Sequence, residues 1–320
     1  MLAESQKKLS LYFKNAVSDD SVRQAYIIEG DEGIGKGHLV SIISKYLMCE
    51  TGQACDVCTS CKSLAHGANP DCCVINNGEK KVIELQKIRD MIKEAYIKPV
   101  MGKYKLFIIE NAHLLDAPGQ NALLKLIEEP PCYAVFILVC NNLNTILPTI
   151  ISRSVVLKLE PWSQNDLKAV CPLPEADYYM YNYCLGNIGT LIDISSNEEF
   201  KQLRNGVIDT FTKMILSDEA AVYNAVDFWN ANKESKENII SILVMFLRDV
   251  VFYKSNIPQS IANSDKIKEI QNVSDKISFR SSFDMMSMAA DAPRQLGKYG
   301  NFTMHAQSLL IQLKKLCTQS

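Results

Sequence analysis

The chain has 320 residues, 34 Lys+Arg against 36 Asp+Glu, and a formal charge of −2. Hydrophobic residues make up 47% and charged residues 22%, which excludes a mainly disordered chain. The near-neutral balance excludes a protein that coats nucleic acid by bulk charge, and the length suits two or three domains.

The first residues, MLAESQKKLSLYFKNAV, read as an amphipathic helix without a long apolar core, so no secretion signal is expected. Residues 1–160 alternate helical patterns with short apolar runs at 25–28, 106–109, 135–139 and 155–157. Each run has the length of a buried parallel strand. Strands alternating with helices predict a doubly wound α/β domain over 1–161. Pro161 and Trp162 mark a boundary, with Ser163 as a helix cap just after. A small, Tyr-rich helical domain follows over 162–205 and holds the turn Gly186-Asn187-Ile188-Gly189. Residues 206–320 show no strand pattern and read as an all-α domain, with helices over 207–217, 219–231, 236–255, 264–272, 281–298 and 302–317. The greasiest stretch, 239–247, ends at Arg248 and Asp249, far short of the ~20 residues that cross a bilayer. It predicts a buried helix, and the expected location is cytoplasmic.

The first strand runs into Gly30-Asp31-Glu32-Gly33-Ile34-Gly35-Lys36-Gly37, followed by a helix over 38–48. This is G-x4-G-K between a strand and a helix. Backbone amides of such a loop cradle phosphates, and its lysine neutralises them. The next position normally carries a hydroxyl that helps hold Mg²⁺, and here it is Gly37. Asp31 and Glu32 add negative charge. The second run, 106–109, leads into Glu110-Asn111-Ala112-His113. Glu110 can serve as the acid for Mg²⁺, but Asn111 stands where a second acid would polarise the attacking water. The candidate nucleotide site is therefore Gly30, Gly35, Lys36, Gly37, Glu110 and Asn111, stripped of two parts of the hydrolysis machinery. Whether the loop holds ATP, ADP or nothing stays open in the sequence.

Of eleven cysteines, four fall within 13 residues: Cys49, Cys55, Cys58 and Cys61, as C-x5-C-x2-C-x2-C. Zinc takes four thiolates in a tetrahedron, and C-x2-C turns present two sulfurs to one ion. This predicts a structural Zn²⁺ site with no open position for catalysis. Cys72 and Cys73 belong to a strand. Cys132, Cys140, Cys171, Cys184 and Cys317 read as small buried hydrophobes.

These motifs occur in an order that resembles a known family. Phosphate loop, four-cysteine insert and His66-Gly67-Ala68-Asn69-Pro70-Asp71 come first. Ile83-Glu84-Leu85-Gln86-Lys87-Ile88-Arg89 and Gly102-Lys103-Tyr104-Lys105 follow. Gln120-Asn121-Ala122-Leu123-Leu124-Lys125-Leu126-Ile127-Glu128-Glu129-Pro130-Pro131 is the most specific signature, and Ile151-Ser152-Arg153-Ser154 closes the series. The chain resembles a bacterial DNA polymerase III clamp-loader subunit of the AAA+ superfamily, densely over 20–160. The resemblance implies a RecA-like P-loop domain with a zinc insert, a small helical lid and a helical C-terminal collar.

Two kinds of subunit share these motifs, the tau/gamma motor ATPase and the degenerate delta-prime. Gly37 and Asn111 favour delta-prime, as does the turn 186–190, which lacks the arginine that motors carry there. The length agrees, since a motor often has a longer tail. Lys36 is kept, the first cysteine gap is shorter than is usual, and the Ser-Arg-Cys motif reads Ser152-Arg153-Ser154. The resemblance implies that Arg153 is a finger acting in trans on ATP held by a neighbouring motor. Asn141 or Asn142 takes the place of a polar sensor. The implied partners are the motor and delta subunits of a hetero-pentamer, the sliding clamp, and primed DNA through the complex. Helix 238–254 reads equally as collar surface or as domain core. Lys98, Lys103 and Lys105 form a modest basic cluster that is not assigned to DNA. Two competing readings stand beside this one, an active tau/gamma-type ATPase and a zinc-containing nucleic-acid-binding module.

Overall fold

In the computed structural model, residues 3–78, 80–217, 220–296 and 302–318 are described. Two compact units make up the chain, one of residues 1–170 with 186–189, the other of 171–185 with 190–320.

The first unit runs α1 (Glu4–Ser18), β1 (Ala25–Glu29), α2 (Lys36–Met48), α3 (Thr59–Ala65), β2 (Cys72–Ile75), α4 (Leu85–Ala95), β3 (Lys105–Ile109), α5 (Ala117–Glu128), β4 (Ala134–Cys140), α6 (Pro148–Ile151), β5 (Val155–Lys158) and α7 (Gln164–Val170). The five strands form one sheet in the order β2-β3-β4-β1-β5, and every pair is parallel. The four apolar runs of the sequence are β1, β3, β4 and β5, each extended by a residue or two. The fifth strand, β2, carries Cys72 and Cys73. Its pattern is partly exposed because it lies at the sheet edge.

Residues alternate between two covered faces, as a parallel sheet requires. Ala25, Ile27, Phe107, Ile109, Phe136 and Leu138 pack with Ile88 and Met91 of α4 and Leu123 and Leu126 of α5. Phe107 and Phe136 are register partners, and their rings stack at 5.2 Å. Tyr26 lies on the opposite face, 4.7 Å from the ring of Phe13 on α1. The order places β1 beside β4, so the end of β1 lies against that of β4, and Gly30 N donates to Cys140 O. Ligands of such sheets bind where the strands end.

The second unit is helical: α8 (Met180–Tyr183), most of α9 (Ile188–Ser196), α10 (Glu198–Leu216), α11 (Ala220–Ala231), α12 (Lys236–Lys254), α13 (Ile267–Lys276), α14 (Phe279–Leu296) and α15 (Phe302–Thr318). The expected helix start at 219 and the end at 297–298 lie outside the described residues, as do Met1 and Leu2. The boundary expected at 205/206 falls inside α10. Asn197 caps that helix by accepting from Glu199 N. Gly206 lies within α10, and a Cβ at this position would stand 2.2 Å from Phe228 Cζ, so the glycine admits the aromatic ring. Within α12, Ile239, Ile240, Ile242, Leu243, Met245, Phe246, Leu247, Asp249 and Val250 are buried, while Ser241 is exposed. Those buried residues form part of the second unit's core.

A buried polar network ties this unit together. Arg204, 1% exposed, donates to Asn263 Oδ1 at 2.7 Å and makes two bonds to Asp265 at 2.6 and 2.9 Å. Its guanidinium lies 3.6 Å from the Tyr179 ring centroid. Asp249 accepts from Ala262 N, Asn263 N and Asn263 Nδ2 at 2.6–2.9 Å. Asp249→Ala strands three buried donors and loosens the acceptor of Arg204, so an unfolding cost of about 3–5 kcal/mol is expected. Urea denaturation of the second unit's transition is the measurement, and a shift under ~1 kcal/mol would show the network to be dispensable.

Candidate nucleotide and metal sites

The loop between β1 and α2 opens onto a cavity of about 540 Å³, within the range that holds small ligands. Gly33, Gly35, Lys36 and Gly37 line one side. Glu110, Asn111 and Asn141, all at strand ends, line another. Gly35 has φ +102°, the left-handed region, and a Cβ there would stand 2.8 Å from Gln6 Nε2. Only glycine suits that position.

Lys36 turns back on its own loop. Its ammonium donates to Gly30 O at 2.6 Å, Asp31 O at 2.7 Å and Asn141 Oδ1 at 2.7 Å. A lysine has three donors, so all are taken. Burial pushes this ammonium below its ordinary pKa, against the pull of Cys140, Glu32 and Asp31. Of the two asparagines after β4, Asn141 therefore faces the loop, while Asn142 caps the next turn by accepting from Asn144 N.

The back of the loop is strapped. Ile34 O accepts from Gln6 Nε2 at 3.1 Å and from Trp162 Nε1 at 2.9 Å. Glu32 O accepts from Asn187 Nδ2 at 2.6 Å, and Gly33 O from Gly189 N at 2.9 Å. A Cβ on Gly189 would stand 2.8 Å from Gly33 Cα. The turn 186–189 thus meets the loop by backbone and amide bonds rather than by a cation.

Glu110 is exposed, and its Oε2 accepts from Asn76 Nδ2 at 3.4 Å. Asn111 holds φ +54°, a left-handed conformation that asparagine tolerates better than glutamate, and its amide donates to Asn77 Oδ1. The glycine-lined cavity has room for a phosphate group. No hydroxyl follows Lys36, and no carboxylate occupies position 111. Gly37 is not in the left-handed region, and an added Cβ meets nothing within 4 Å. Gly37→Ser is therefore expected to fold with stability changed by less than about 0.5 kcal/mol and still to release no phosphate from ATP. Turnover in that variant would show that the missing hydroxyl alone silences the site.

Cys49, Cys55, Cys58 and Cys61 come together with all Sγ atoms within 4.8 Å of one another. Tetrahedral zinc with Zn–S near 2.3 Å requires sulfurs about 3.8 Å apart, and Cys49 and Cys55 lie at 3.6 Å. Amides point at the sulfurs: Cys55 N at Cys49, Cys58 N at Cys55, and Cys61 N at Cys58, all at 3.3–3.5 Å. Burial pushes the Cys49 thiol up, but the Cys55 amide, Thr51 and the Cys55 thiol outweigh it and bring it to about 5. Burial pushes Cys61 up to about 12. These four residues fit a metal ion as a closed four-thiolate set, which supplies structure and leaves no ligand position for substrate. Cys72 and Cys73 lie outside the group, and Cys132 is exposed rather than buried.

Several signature residues prove to be anchors that spacing alone could not interpret. Asn69 ties β2's entry to α3 through Ser60 O and Oγ. Asp71, fully buried, accepts from Val100 N at 2.7 Å and Met101 N at 2.6 Å. Gln120 bonds Leu115 O, Thr145 O and Leu147 N, pinning α5 to the segment that leads into α6. Lys105 is no surface cation: its side chain is 3% exposed and pairs with Glu94 at 2.5 Å. Lys103 pairs with Asp20. Arg153 follows α6, half-exposed, and pairs with Glu128 at 3.0 Å.

A parallel sheet in this order, with a phosphate loop after β1 and a helical C-terminal region, defines a P-loop α/β protein of the AAA+ class. The family model of DNA polymerase III, delta subunit, matches residues 5–163, and that of the delta subunit's C terminal matches 198–315. The chain belongs to the DNA polymerase III delta-subunit family. The delta' subunit of Bacillus subtilis is 25% identical over 273 residues, covering 82% of this chain and 80% of that one. The gamma subunit of Buchnera aphidicola from Acyrthosiphon pisum is 30% identical over 165 residues, 51% of this chain and 45% of that one. The chain thus spans less than half the length of such gamma relatives. The solved structure of the Bacillus subtilis DNA clamp loader delta protein overlaps 96% of this chain at 12% identity with a TM-score of 0.37. Among the described residues no helix is long and apolar enough to cross a membrane.

Proposed function

We propose that this chain is a delta-prime-type stator of the DNA polymerase III clamp loader. It acts in the cytoplasm within a hetero-pentamer of motor (tau/gamma) and delta subunits. It helps load the sliding clamp onto primed DNA and donates Arg153 to ATP held by the adjacent motor. There, water attacks the γ-phosphorus, the bond to the ADP oxygen breaks, and the water proton passes to a base of the motor. Arg153 moves no proton. It places positive charge where the γ-phosphate oxygens gather negative charge.

The observation that carries this reading is an asymmetry. The chain's own loop has Lys36 engaged by three protein acceptors and no acid at Asn111. Arg153 stays half-exposed in the turn between α6 and β5. A site lacking parts of the hydrolysis machinery, in a chain that also presents a partly exposed guanidinium, suits a subunit that serves a neighbour's ATP. The test compares ATP turnover by the purified chain with that of the loader reconstituted from wild-type or Arg153→Ala chains. A silent chain and an impaired variant loader support the reading. Turnover by the chain alone would replace it with the motor reading.

A further inference from the structure

The acidic end of the 120–131 signature has no role in the reading above. Glu128 closes α5, and its Oε1 lies 3.0 Å from Arg153 Nη2. The same guanidinium donates through Nη1 to Thr149 O at 3.1 Å and to Ser152 Oγ at 3.4 Å. Arg153 is therefore gripped by acceptors from α5 and from the α6 turn. A guanidinium has five N–H donors, and these bonds use three of the four on its Nη atoms, which leaves one Nη2–H and the Nε–H. The side chain remains 42% exposed and Glu128 45%.

We propose that Glu128 is the positioning residue of the finger. It holds one edge of the Arg153 guanidinium so that the remaining donors face a neighbouring subunit's phosphate. This rests on the trans-finger reading. The reason is entropic. An arginine loses considerable rotamer freedom when its head is fixed, and a reacting group must sit within about 0.5 Å of its productive place. A grip already present in the free chain meets that loss before the subunits associate. Stability does not account for the pair, because an exposed ion pair contributes little to it. A carboxylate that merely parked the arginine would act in the opposite direction, since its removal would free the finger and raise turnover.

Chains carrying Glu128→Gln, Glu128→Ala, Arg153→Ala, and Glu128→Ala with Arg153→Ala are reconstituted with the motor and delta subunits. Assembly is verified by size exclusion, and ATP hydrolysis is read with clamp and primed DNA. The quantity of interest is the part of kcat that depends on Arg153. Glu128→Ala is expected to lower it about tenfold at unchanged KM for ATP, in line with the cost of a misplaced catalytic group. Glu128→Gln keeps the reach without the charge and is expected to fall between. In the Arg153→Ala background, removing Glu128 is expected to change nothing further, the mark of two residues acting as one. Unchanged or raised turnover in Glu128→Ala overturns the proposal. So does an equal loss in both backgrounds, which would mark a structural role. If Arg153→Ala alone has no effect, the finger reading itself has failed, and that result is separate from those of the Glu128 variants.

Discussion

Arg153→Ala in the reconstituted loader is expected to lower hydrolysis at the facing motor site by about 10³–10⁵-fold, the contribution of an arginine finger to phosphoryl transfer. Bulk turnover will fall less if the loader holds further ATP sites that Arg153 does not face. Pre-steady-state phosphate release, which resolves the sites, is the proper measurement. Arg153→Lys is expected to recover little, since an ammonium lacks the planar fork that spans two phosphate oxygens. The variant chain itself should fold normally. Arg153 is exposed, and its bonds are to Glu128, Thr149 O and Ser152 Oγ at the surface. A variant loader that assembles but hydrolyses at full rate would leave this chain a scaffold only.

The second large effect concerns the metal. The purified chain is expected to carry about one tightly held zinc ion, because four-thiolate sites bind zinc with an apparent free energy on the order of 10 kcal/mol or more at neutral pH. Cys55→Ser with Cys58→Ser should lower metal content to zero by elemental analysis. The structural cost should be local. α3 has seven residues, too few to persist as an isolated helix, and its N-cap is the ligand Cys58. Residues 49–65 are therefore expected to lose amide protection in hydrogen exchange, while β1, β3 and β4 keep theirs. The sheet core does not include the four cysteines. Full protection of α3 without metal would show that the Asn69–Ser60 bonds suffice to hold it.

The α/β unit was legible because its signals are local. Short apolar runs gave strands within a residue or two, since a parallel sheet buried on both faces admits few polar residues. Edge strand β2 was less legible, because partial exposure weakens its pattern. In the helical unit the role of Gly206 appears only when Phe228 packs on it. Lys105 looked like part of a basic cluster, yet it is buried against Glu94. Sequence distance hides such pairings.

What the sequence by itself determined is the class of each site. Glycine at 37 and asparagine at 111 carry no hydroxyl and no carboxylate at those two positions, and that is fixed by residue identity alone. The cysteine spacing likewise implied a closed thiolate set before any fold was known. What only the tertiary structure decided is the state of those groups. Lys36 and Asn141 lie 105 residues apart, Gln6 and Ile34 28, and Asn187 and Glu32 155. Their bonds form only once the strand order has brought β1 beside β4 and the turn 186–189 onto the loop. Donors and acceptors are satisfied by proximity in space, and spacing along the chain carries no record of it.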